Sequence, residues 1–343
     1  MAGKKAGTAR KTLLTVVISI VFAVFFMWLA LRGLDFKQIS HSLSRADYIW
    51  VLPSTVFGLL AYWFRAVRWN LLLEPMGYRI SNSSSLWSLS FGYLMNLTIP
   101  RSGEVARSTA LYGVEKVPVD KSFGTIILER AIDLICMLGF LLLTAVFKYE
   151  ALQAFFTAAG GQKSETTNAG SNNKYWILPA VVVAIVVLFF AFRKRLQKLS
   201  IYAKVLQFGR GILDGLRTIF KLKDKTKFLL YTVAIWVCYY FAAYLICFSL
   251  PETADFGPAD GFYIIVIGTL GMIVPASGGV GAFHFALKLG IAALFVSVGK
   301  SAEAGAEAGL SYAFISHTMQ LVIMLVMGLI SIPMLARARA AKN

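Results

Sequence analysis

Long apolar runs constrain the fold of this chain more strongly than any other feature. Hydrophobic residues make up 58% of its 343 residues and charged residues only 15%. An α-helix needs about 20 apolar residues to cross the hydrocarbon core of a bilayer, and in lipid each backbone polar group has to be satisfied inside its own helix. The sequence therefore predicts an all-α integral membrane protein with about six full transmembrane helices: 12–31, 50–73, 123–147, 176–192, 228–250 and 310–335.

Two nearly identical motifs interrupt the apolar sequence. "TIPRSGEVAR" covers residues 98–107 and "IVPASGGVG" covers residues 273–281, and their prolines are 175 positions apart. Proline ends a helix and glycine permits close approach of the backbone, so each motif predicts the tip of a helical hairpin. The tip positions are Pro100, Ser102 and Gly103 in the first hairpin, and Pro275, Ser277, Gly278 and Gly279 in the second.

The distribution of basic residues predicts the orientation of the chain. Segment 193–228 contains eleven Lys and Arg against two Asp, and the positive-inside rule places such a segment in the cytoplasm. Its apolar residues recur at helical spacing, which predicts an amphipathic segment on the inner leaflet. Segment 251–260 has no Lys or Arg and is predicted to face outward, as is a loop over 148–174. The termini, 1–11 and 337–343, are predicted to be cytoplasmic.

With these orientations, six crossings are consistent only if each hairpin returns to the side from which it enters. The arms before the prolines, 86–99 and 261–274, are also short for a complete span. The sequence therefore predicts two membrane repeats of opposite orientation, 12–147 with a re-entrant tip near 100–104 and 175–336 with a tip near 275–279. Inverted repeats with broken helices at matching positions are typical of alternating-access transporters.

Ionisable residues inside the predicted membrane region are costly, so each needs a partner or a function. In one hypothesis, a carboxylate at Glu104 or Glu129 neutralises a nearby arginine and holds the hairpin in place. In the other, surplus arginines form an electropositive cavity for a phosphate headgroup, because a guanidinium binds phosphate through two hydrogen bonds. The candidate cavity residues are Arg65, Asn96, Arg101, Glu104, Arg107, Glu129, Arg130 and Asp133.

Other polar residues near these segments have simpler explanations. Arg68 lies near the inner end of its predicted span, so we expect it to extend to the inner headgroups. Asn96 precedes the first tip and is predicted to cap it or to hydrogen-bond across helices. His284, His317 and Gln320 are predicted to be packing residues or a polar relay. The sequence contains no metal-ligand spacing and no phosphate-binding loop, so we expect neither a metal nor a cofactor.

Four segments resemble the transmembrane region of lysylphosphatidylglycerol synthases: "RAVRWNLLL", "LMNLTIPRSGEVAR", "LERAIDLI" and "PASGGVGAFH". The resemblance implies a bacterial-type inner-membrane flippase that moves an anionic or aminoacylated lipid between leaflets, with the charged residues of the first tip and the following span at its site. Full-length synthases continue into an aminoacyl-transferase domain, whereas this chain ends at Asn343, shortly after its last apolar run. We therefore expect no aminoacyl transfer by this chain, and a separate lipid-modifying enzyme as a partner.

Two other functions stay open. One is an intramembrane enzyme that acts on a lipid-linked substrate with Glu104 or Glu129 as general base, although no hydrolase, transferase or ATPase motif supports it. The other is a scaffold or regulator of cell-envelope lipid synthesis. The net charge of +17 lies mostly in predicted loops, where it favours anionic lipids over nucleic acid as the partner.

Overall fold

The computed structural model describes residues 17, 20, 21, 24–28, 36–160 and 222–341. The apolar run 176–192, most of the run 12–31, the N-terminal segment 1–11, loop residues 161–174 and most of the basic segment 193–228 lie outside the described residues. Every regular element within the described ranges is a helix. The all-α prediction is therefore confirmed for that part of the chain.

Ten α-helices are contained in full in these ranges. In chain order they are α1 (Phe36–Ser44), α2 (Val51–Leu73), α3 (Asn82–Thr98), α4 (Gly103–Glu115), α5 (Val119–Phe147), α6 (Tyr149–Ala159), α7 (Lys225–Tyr244), α8 (Pro258–Ile273), α9 (Ala282–Ser297) and α10 (Ala302–Ala340). Short 3₁₀ turns lie at Tyr48–Trp50, Glu74–Met76, Leu245–Ser249 and Ser277–Gly279.

Polar caps define where several of these helices begin. The Ser81 hydroxyl accepts a hydrogen bond from the Ser84 amide, 3.0 Å away, at the start of α3. At the start of α8, the Asp260 carboxylate accepts one from the Gly257 amide at 2.9 Å. Because the first amides of a helix have no partner inside it, such caps satisfy them. They separate the short helices of the hairpins from the segments before them.

Four described helical segments are long and apolar enough to cross a membrane: Tyr48–Met76, Lys225–Ser249, Ser277–Ser297 and Ala302–Ala340. Three of them coincide with the runs predicted at 50–73, 228–250 and 310–335. The fourth, Ser277–Ser297, belongs to the second hairpin and is enclosed by protein: 72% of its most apolar window is buried, against 22% in each of the others. The other three therefore expose apolar faces that suit contact with lipid tails.

Each tip motif joins two antiparallel helices that pack closely. In the first hairpin, Gly92 of α3 faces Gly103 of α4. In the second, Gly271 of α8 faces Ala282 and Ala286 at the start of α9 and one turn beyond it. The second tip turns through left-handed backbone at Gly278 and Gly279, with φ of 60° and 78°, which glycine adopts without strain.

The helix contacts in the two halves of the chain match. In the first half α2 contacts α3, α3 contacts α4 and α4 contacts α5; in the second half α7 contacts α8, α8 contacts α9 and α9 contacts α10. Between the halves, α2 contacts its counterpart α7. Helix α3 contacts α10 in the same way that its counterpart α8 contacts α5. One packing pattern is therefore used twice, with α2–α5 in the places of α7–α10.

The segment predicted as a loop, 148–174, begins instead with a helix. Tyr149–Ala159 forms α6, which buries Ala151, Leu152 and Phe155 and contacts α9. These three residues lie on one helical face, since positions i, i+1 and i+4 are neighbours on a helix surface. The prediction of a loop rested on the polar residues beyond 158, which lie mostly outside the described ranges, and it overlooked this apolar face.

Candidate functional site

A cluster of five charged residues lies among α2, α4 and α5; four are buried, and the side chain of the fifth, Asp133, is 14% exposed. Arg107 Nη1 lies 2.6 Å from Glu129 Oε2. Asp133 pairs with two arginines of α2: its Oδ2 lies 3.0 Å from Arg65 Nη2, and its Oδ1 lies 2.9 Å from Arg68 Nη2. These five residues are called the buried charge cluster below. Their ion pairs hold α4, the second helix of the first hairpin, and α5 against α2.

The cluster carries more positive than negative charge. Three guanidinium groups face two carboxylates. Arg68 and Glu129 are 0% exposed, and Arg65 and Arg107 are 3% exposed, so solvent screens these charges little. Removal of a charge from water costs several kcal/mol unless a partner compensates it. One buried positive charge therefore lacks a carboxylate among the described residues of the cluster.

Two hydrogen bonds connect the cluster to α7 of the second half. Arg65 Nη1 donates to the Tyr239 hydroxyl at 2.8 Å, and Arg68 Nη1 donates to the Thr232 hydroxyl at 3.3 Å. The expectation that Arg68 extends to the headgroups is wrong, because its side chain is completely buried. The carboxylate of Asp133, which lies on α5 and is distant from Arg68 in the sequence, provides the ion pair that keeps Arg68 inside the protein.

Arg107 has N–H groups left over after its pair with Glu129. Its guanidinium carbon lies 3.6 Å from the ring centroid of Trp69, a cation–π contact. The Trp69 indole is fixed in turn by donating to the Thr125 hydroxyl at 2.8 Å. Nε and Nη2 of Arg107 are buried and donate no hydrogen bond to the described residues. Buried polar atoms are rarely left unsatisfied, so these two N–H groups require an explanation.

A narrow, partly open cavity lies beside Arg107, and about 10 Å³ of it is accessible to the centre of a water-sized sphere. Its polar lining comes from Tyr93, Asn96, Glu104, Arg107 and Arg130. Arg130 Nη2 lies 3.1 Å from Glu104 Oε1, and the two side chains are 45% and 28% exposed. This half-exposed pair therefore lies toward the solvent side of the cavity, whereas Arg107 lies at its buried side.

The first tip is held by its own polar groups. The Asn96 side-chain oxygen accepts a hydrogen bond from the Gly103 amide at 2.7 Å. The Ser102 hydroxyl lies 2.7 Å from the Ile99 carbonyl, to which it donates. A Cβ at Gly103 would collide with the Gly92 carbonyl and the Asn96 side chain. Glycine is therefore required here for close approach of the two arms.

Replacement of Gly103 by alanine is expected to destabilise the first hairpin by about 1–3 kcal/mol, the usual cost of inserting a methyl group into a packed contact. Gly113 lies in the same helix and has no atom within 4 Å of the position of a Cβ. Gly113→Ala should be neutral or stabilising, because alanine is the better helix former. Thermal denaturation in detergent compares the two variants. Equal stability would contradict the close packing at Gly103.

Arg101 does not join the other candidate residues. It lies at the turn of the first hairpin in left-handed backbone with φ of 58°, and its Nη2 donates to the Ile273 carbonyl of the second hairpin at 3.0 Å. The turn directs its side chain toward the second tip and away from Arg107. Of the predicted cavity residues, the structure brings together Arg65, Arg107, Glu129 and Asp133, with Asn96, Glu104 and Arg130 beside them.

The histidines lie behind the second tip. His284 on α9 and His317 on α10 are buried, and their ring centroids are 5.0 Å apart. Each packs against a phenylalanine: His284 on Phe314 and His317 on Phe283. Gln320 lies one turn beyond His317 and is half-buried. Within the described ranges, no three His, Cys, Asp or Glu side chains form a group that could hold a metal ion.

Several residues of the site gave no signal in the sequence. Trp69, Tyr239 and Thr232 contact the buried arginines, yet in the sequence they are ordinary members of apolar runs. Trp69 lies directly after Arg68 in "RAVRWNLLL", but only the fold brings its ring onto Arg107. The position of Trp69 next to an arginine in an apolar run is the one feature of the sequence that could have indicated a cation–π contact.

Comparison with known proteins supports the assignment of the chain to a family. Residues 16–328 match the protein family described as "Lysylphosphatidylglycerol synthase TM region". The chain is similar to the glycosyltransferase AglD of Haloferax volcanii, with 23% identity over 344 residues, 92% of this chain and 53% of the relative. It is also similar to the UPF0104 membrane protein MJ1595 of Methanocaldococcus jannaschii, with 25% identity over 135 residues, 38% of this chain and 39% of the relative.

The chain spans about half the length of the first relative and less of the second, but the family match covers most of its own length. Together with the membrane-length apolar helices, this match identifies a multi-pass membrane protein. The chain belongs to the family of the lysylphosphatidylglycerol synthase transmembrane region.

Proposed function

We propose that this protein moves an anionic phospholipid between the leaflets of a membrane and that its buried charge cluster receives the headgroup. The observation that carries this proposal is the pair of N–H groups that Arg107 has left over, in a cluster with one positive charge in surplus. Nε and Nη2 of Arg107 donate to no described residue, and its side chain lines the cavity. A phosphate would supply both the missing negative charge and the missing acceptors.

The charge of the cluster suits a phosphodiester. Such a group carries one negative charge, which equals the surplus of three guanidiniums over two carboxylates. Two N–H groups of one guanidinium match two phosphate oxygens in geometry as well as in charge. A zwitterionic headgroup such as that of phosphatidylcholine brings a cation together with its phosphate and would leave the surplus uncompensated, so anionic lipids are the proposed substrates.

Entry of a headgroup requires the cavity to widen. In this structure the cavity is narrow, and Glu104 and Arg130 are joined at its half-exposed side. Ion pairs with this much exposure contribute only about 0–1 kcal/mol, so their separation costs little. We propose that the pair opens to admit the headgroup, while the buried pair of Arg107 and Glu129 stays in place.

The architecture proposed for this function is an inverted repeat. Six spans and two re-entrant hairpins would form repeats 12–147 and 175–336, with 148–174 outside, 193–228 inside and both termini in the cytoplasm of a bacterial-type inner membrane. The matching helix contacts of α2–α5 and α7–α10 support two equivalent repeats. The cavity itself is lined by the first repeat, and hydrogen bonds from Arg65 and Arg68 connect its charge cluster to α7 of the second. The site would therefore adjoin the interface between the repeats, where transporters of this design bind their substrates.

Leaflet transport in proteoliposomes tests the proposal. Purified protein is reconstituted into phosphatidylcholine vesicles with a trace of phosphatidylglycerol or, in a parallel sample, of phosphatidylcholine, each carrying the fluorophore NBD on one acyl chain so that its headgroup is unchanged. Dithionite then quenches only the label in the outer leaflet. We expect protein-dependent movement of phosphatidylglycerol that exceeds that of phosphatidylcholine. Movement of phosphatidylglycerol at the rate of protein-free vesicles would contradict the proposal.

The name of the Haloferax relative favours a second candidate, glycosyl transfer. Glu104 is the candidate general base, because it lines the cavity and its pair with Arg130 is partly exposed, whereas both carboxylates of the cluster are held by buried arginines. Incubation of the protein with nucleotide sugars and lipid extract, followed by mass spectrometry, tests for a glycosylated lipid. A product that disappears in Glu104→Gln would support this second candidate; the same yield from the variant would argue against it.

A further inference from the structure

The tips of the two hairpins contact each other. Arg101 of the first tip donates to the carbonyl of Ile273, the last residue of α8, at 3.0 Å. A Cβ on Gly278, in the second tip, would lie 3.2 Å from the Leu97 side chain of the first hairpin and 3.3 Å from the Leu321 side chain of α10. Helix α3 also contacts the Ser277–Gly279 turn directly. The two tips are therefore closed against one another in this structure.

The hydrogen bond from Arg101 reaches the C-terminus of α8, a favourable position for a cation. The last carbonyls of a helix have no partner inside it, and the partial negative charge at a helix C-terminus attracts a cation. Arg101 thus caps α8 of the second hairpin from the first hairpin.

Arg101 reaches this position through an unusual backbone conformation. Its φ of 58° lies in the left-handed region, which residues other than glycine seldom adopt. Such strain persists where the surrounding structure holds it, and it often accompanies a functional constraint. Glycine would be unstrained at this turn but would provide no guanidinium to the second tip.

We propose that Arg101 is a latch between the two hairpin tips and that an anionic lipid headgroup releases it. This inference rests on the proposed transport of anionic lipids and adds how the substrate would open the second hairpin. The Arg101 side chain is exposed, and a guanidinium has five N–H donors. Its bond to a phosphate is charge-assisted on both sides, so it is stronger than its bond to a neutral carbonyl.

The surroundings of the latch suit a lipid. Met272 and Ile273, next to the capped carbonyl, are 41% and 60% exposed. A headgroup at Arg101 would therefore have apolar side chains beside it for the start of its acyl chains. When the phosphate binds the Arg101 guanidinium in place of the Ile273 carbonyl, the hydrogen bond between the tips is lost. The second tip is then free to separate from the first.

The distance between the tips tests this proposal without a transport assay. Spin labels are attached at Val105→Cys and Met272→Cys, both exposed positions, after replacement of Cys136, Cys238 and Cys247 by alanine. Electron–electron double resonance is measured in nanodiscs of phosphatidylcholine alone and with phosphatidylglycerol. We expect one short distance in phosphatidylcholine, and a second, longer population when phosphatidylglycerol is present.

Variants separate the latch from general effects of charge. Arg101→Gln should show the longer population in both lipids, whereas Arg101→Lys should restore the short distance in phosphatidylcholine. Lys148→Gln is the matched control, because Lys148 binds Asp260 near the opposite end of the same helix at 2.6 Å; it should behave like the parent. Circular dichroism verifies that each variant is folded.

The inference is overturned if Arg101→Gln keeps the parent distance in phosphatidylcholine, or if phosphatidylglycerol leaves the parent distance unchanged. Either result would leave the transport proposal standing, because transport is measured separately in proteoliposomes. Loss of transport with an intact, lipid-sensitive latch would instead contradict the transport proposal alone.

Discussion

Replacement of Glu129 by glutamine is expected to lower the free energy of unfolding by roughly 3–5 kcal/mol, the usual effect of removing one partner of a buried ion pair. Glu129 is 0% exposed and lies 2.6 Å from Arg107. Without its charge, three buried guanidiniums would face Asp133 alone. Unfolding by titration with sodium dodecyl sulfate in mixed micelles measures the change.

The matched control for this variant is Glu104→Gln. Glu104 also pairs with an arginine of its neighbourhood, at 3.1 Å from Arg130, but both side chains are partly exposed. Loss of such a pair should cost about 0–1 kcal/mol. Equal stability of Glu129→Gln and Glu104→Gln would contradict the burial of the pair formed by Arg107 and Glu129.

The double variant Arg107→Met with Glu129→Gln is expected to recover most of the stability that Glu129→Gln loses, and to transport phosphatidylglycerol more slowly than wild-type protein. The remaining charges, Arg65 and Arg68 against Asp133, keep the original surplus of one positive charge. A buried ion pair can often be replaced by neutral groups of similar size at little cost. The cavity, however, would lose the guanidinium that is proposed to bind the headgroup.

Binding of anionic lipid to this double variant should be roughly 10–100-fold weaker, because a hydrogen bond to a charged group contributes about 1.5–3 kcal/mol. The control removes another ion pair, with Lys148→Gln and Asp260→Asn. That pair, 2.6 Å long, lies outside the cluster, so transport of phosphatidylglycerol should continue. Undiminished transport by the double variant at Arg107 and Glu129 would exclude Arg107 as the headgroup ligand.

Much of the fold follows from features visible in the sequence. The apolar runs at 50–73, 228–250 and 310–335 became helices because a chain in lipid has no other way to satisfy its backbone. Pro100 and Pro275 mark hairpin turns because proline disfavours a helix interior and a glycine follows closely in each motif; proline alone is not sufficient, since Pro333 lies inside α10. Helix α6 was missed because eleven residues of mixed polarity carry a weak signal, and its helical face depends on contact with α9.

The site was harder to predict than the fold. Charge alone indicated that Arg107, Glu129 and Asp133 needed partners inside a membrane. Which charges pair depends on tertiary packing: Arg68 stays buried because Asp133 of α5 lies beside it, and Arg101 turns away because its backbone is left-handed. Trp69 of α2 becomes part of the site only through tertiary packing, which places Arg107 of α4 over its ring.

Retention of lipid during purification tests the central claim most directly. Wild-type protein and the double variant Arg107→Met with Glu129→Gln are exchanged into detergent with equal amounts of phosphatidylglycerol and phosphatidylcholine, and bound lipid is quantified by native mass spectrometry. We expect wild-type protein to retain phosphatidylglycerol in preference to phosphatidylcholine, and the double variant to lose that preference while it remains folded. Equal retention of the two lipids by wild-type protein, or the same preference in both proteins, would contradict a headgroup site at Arg107.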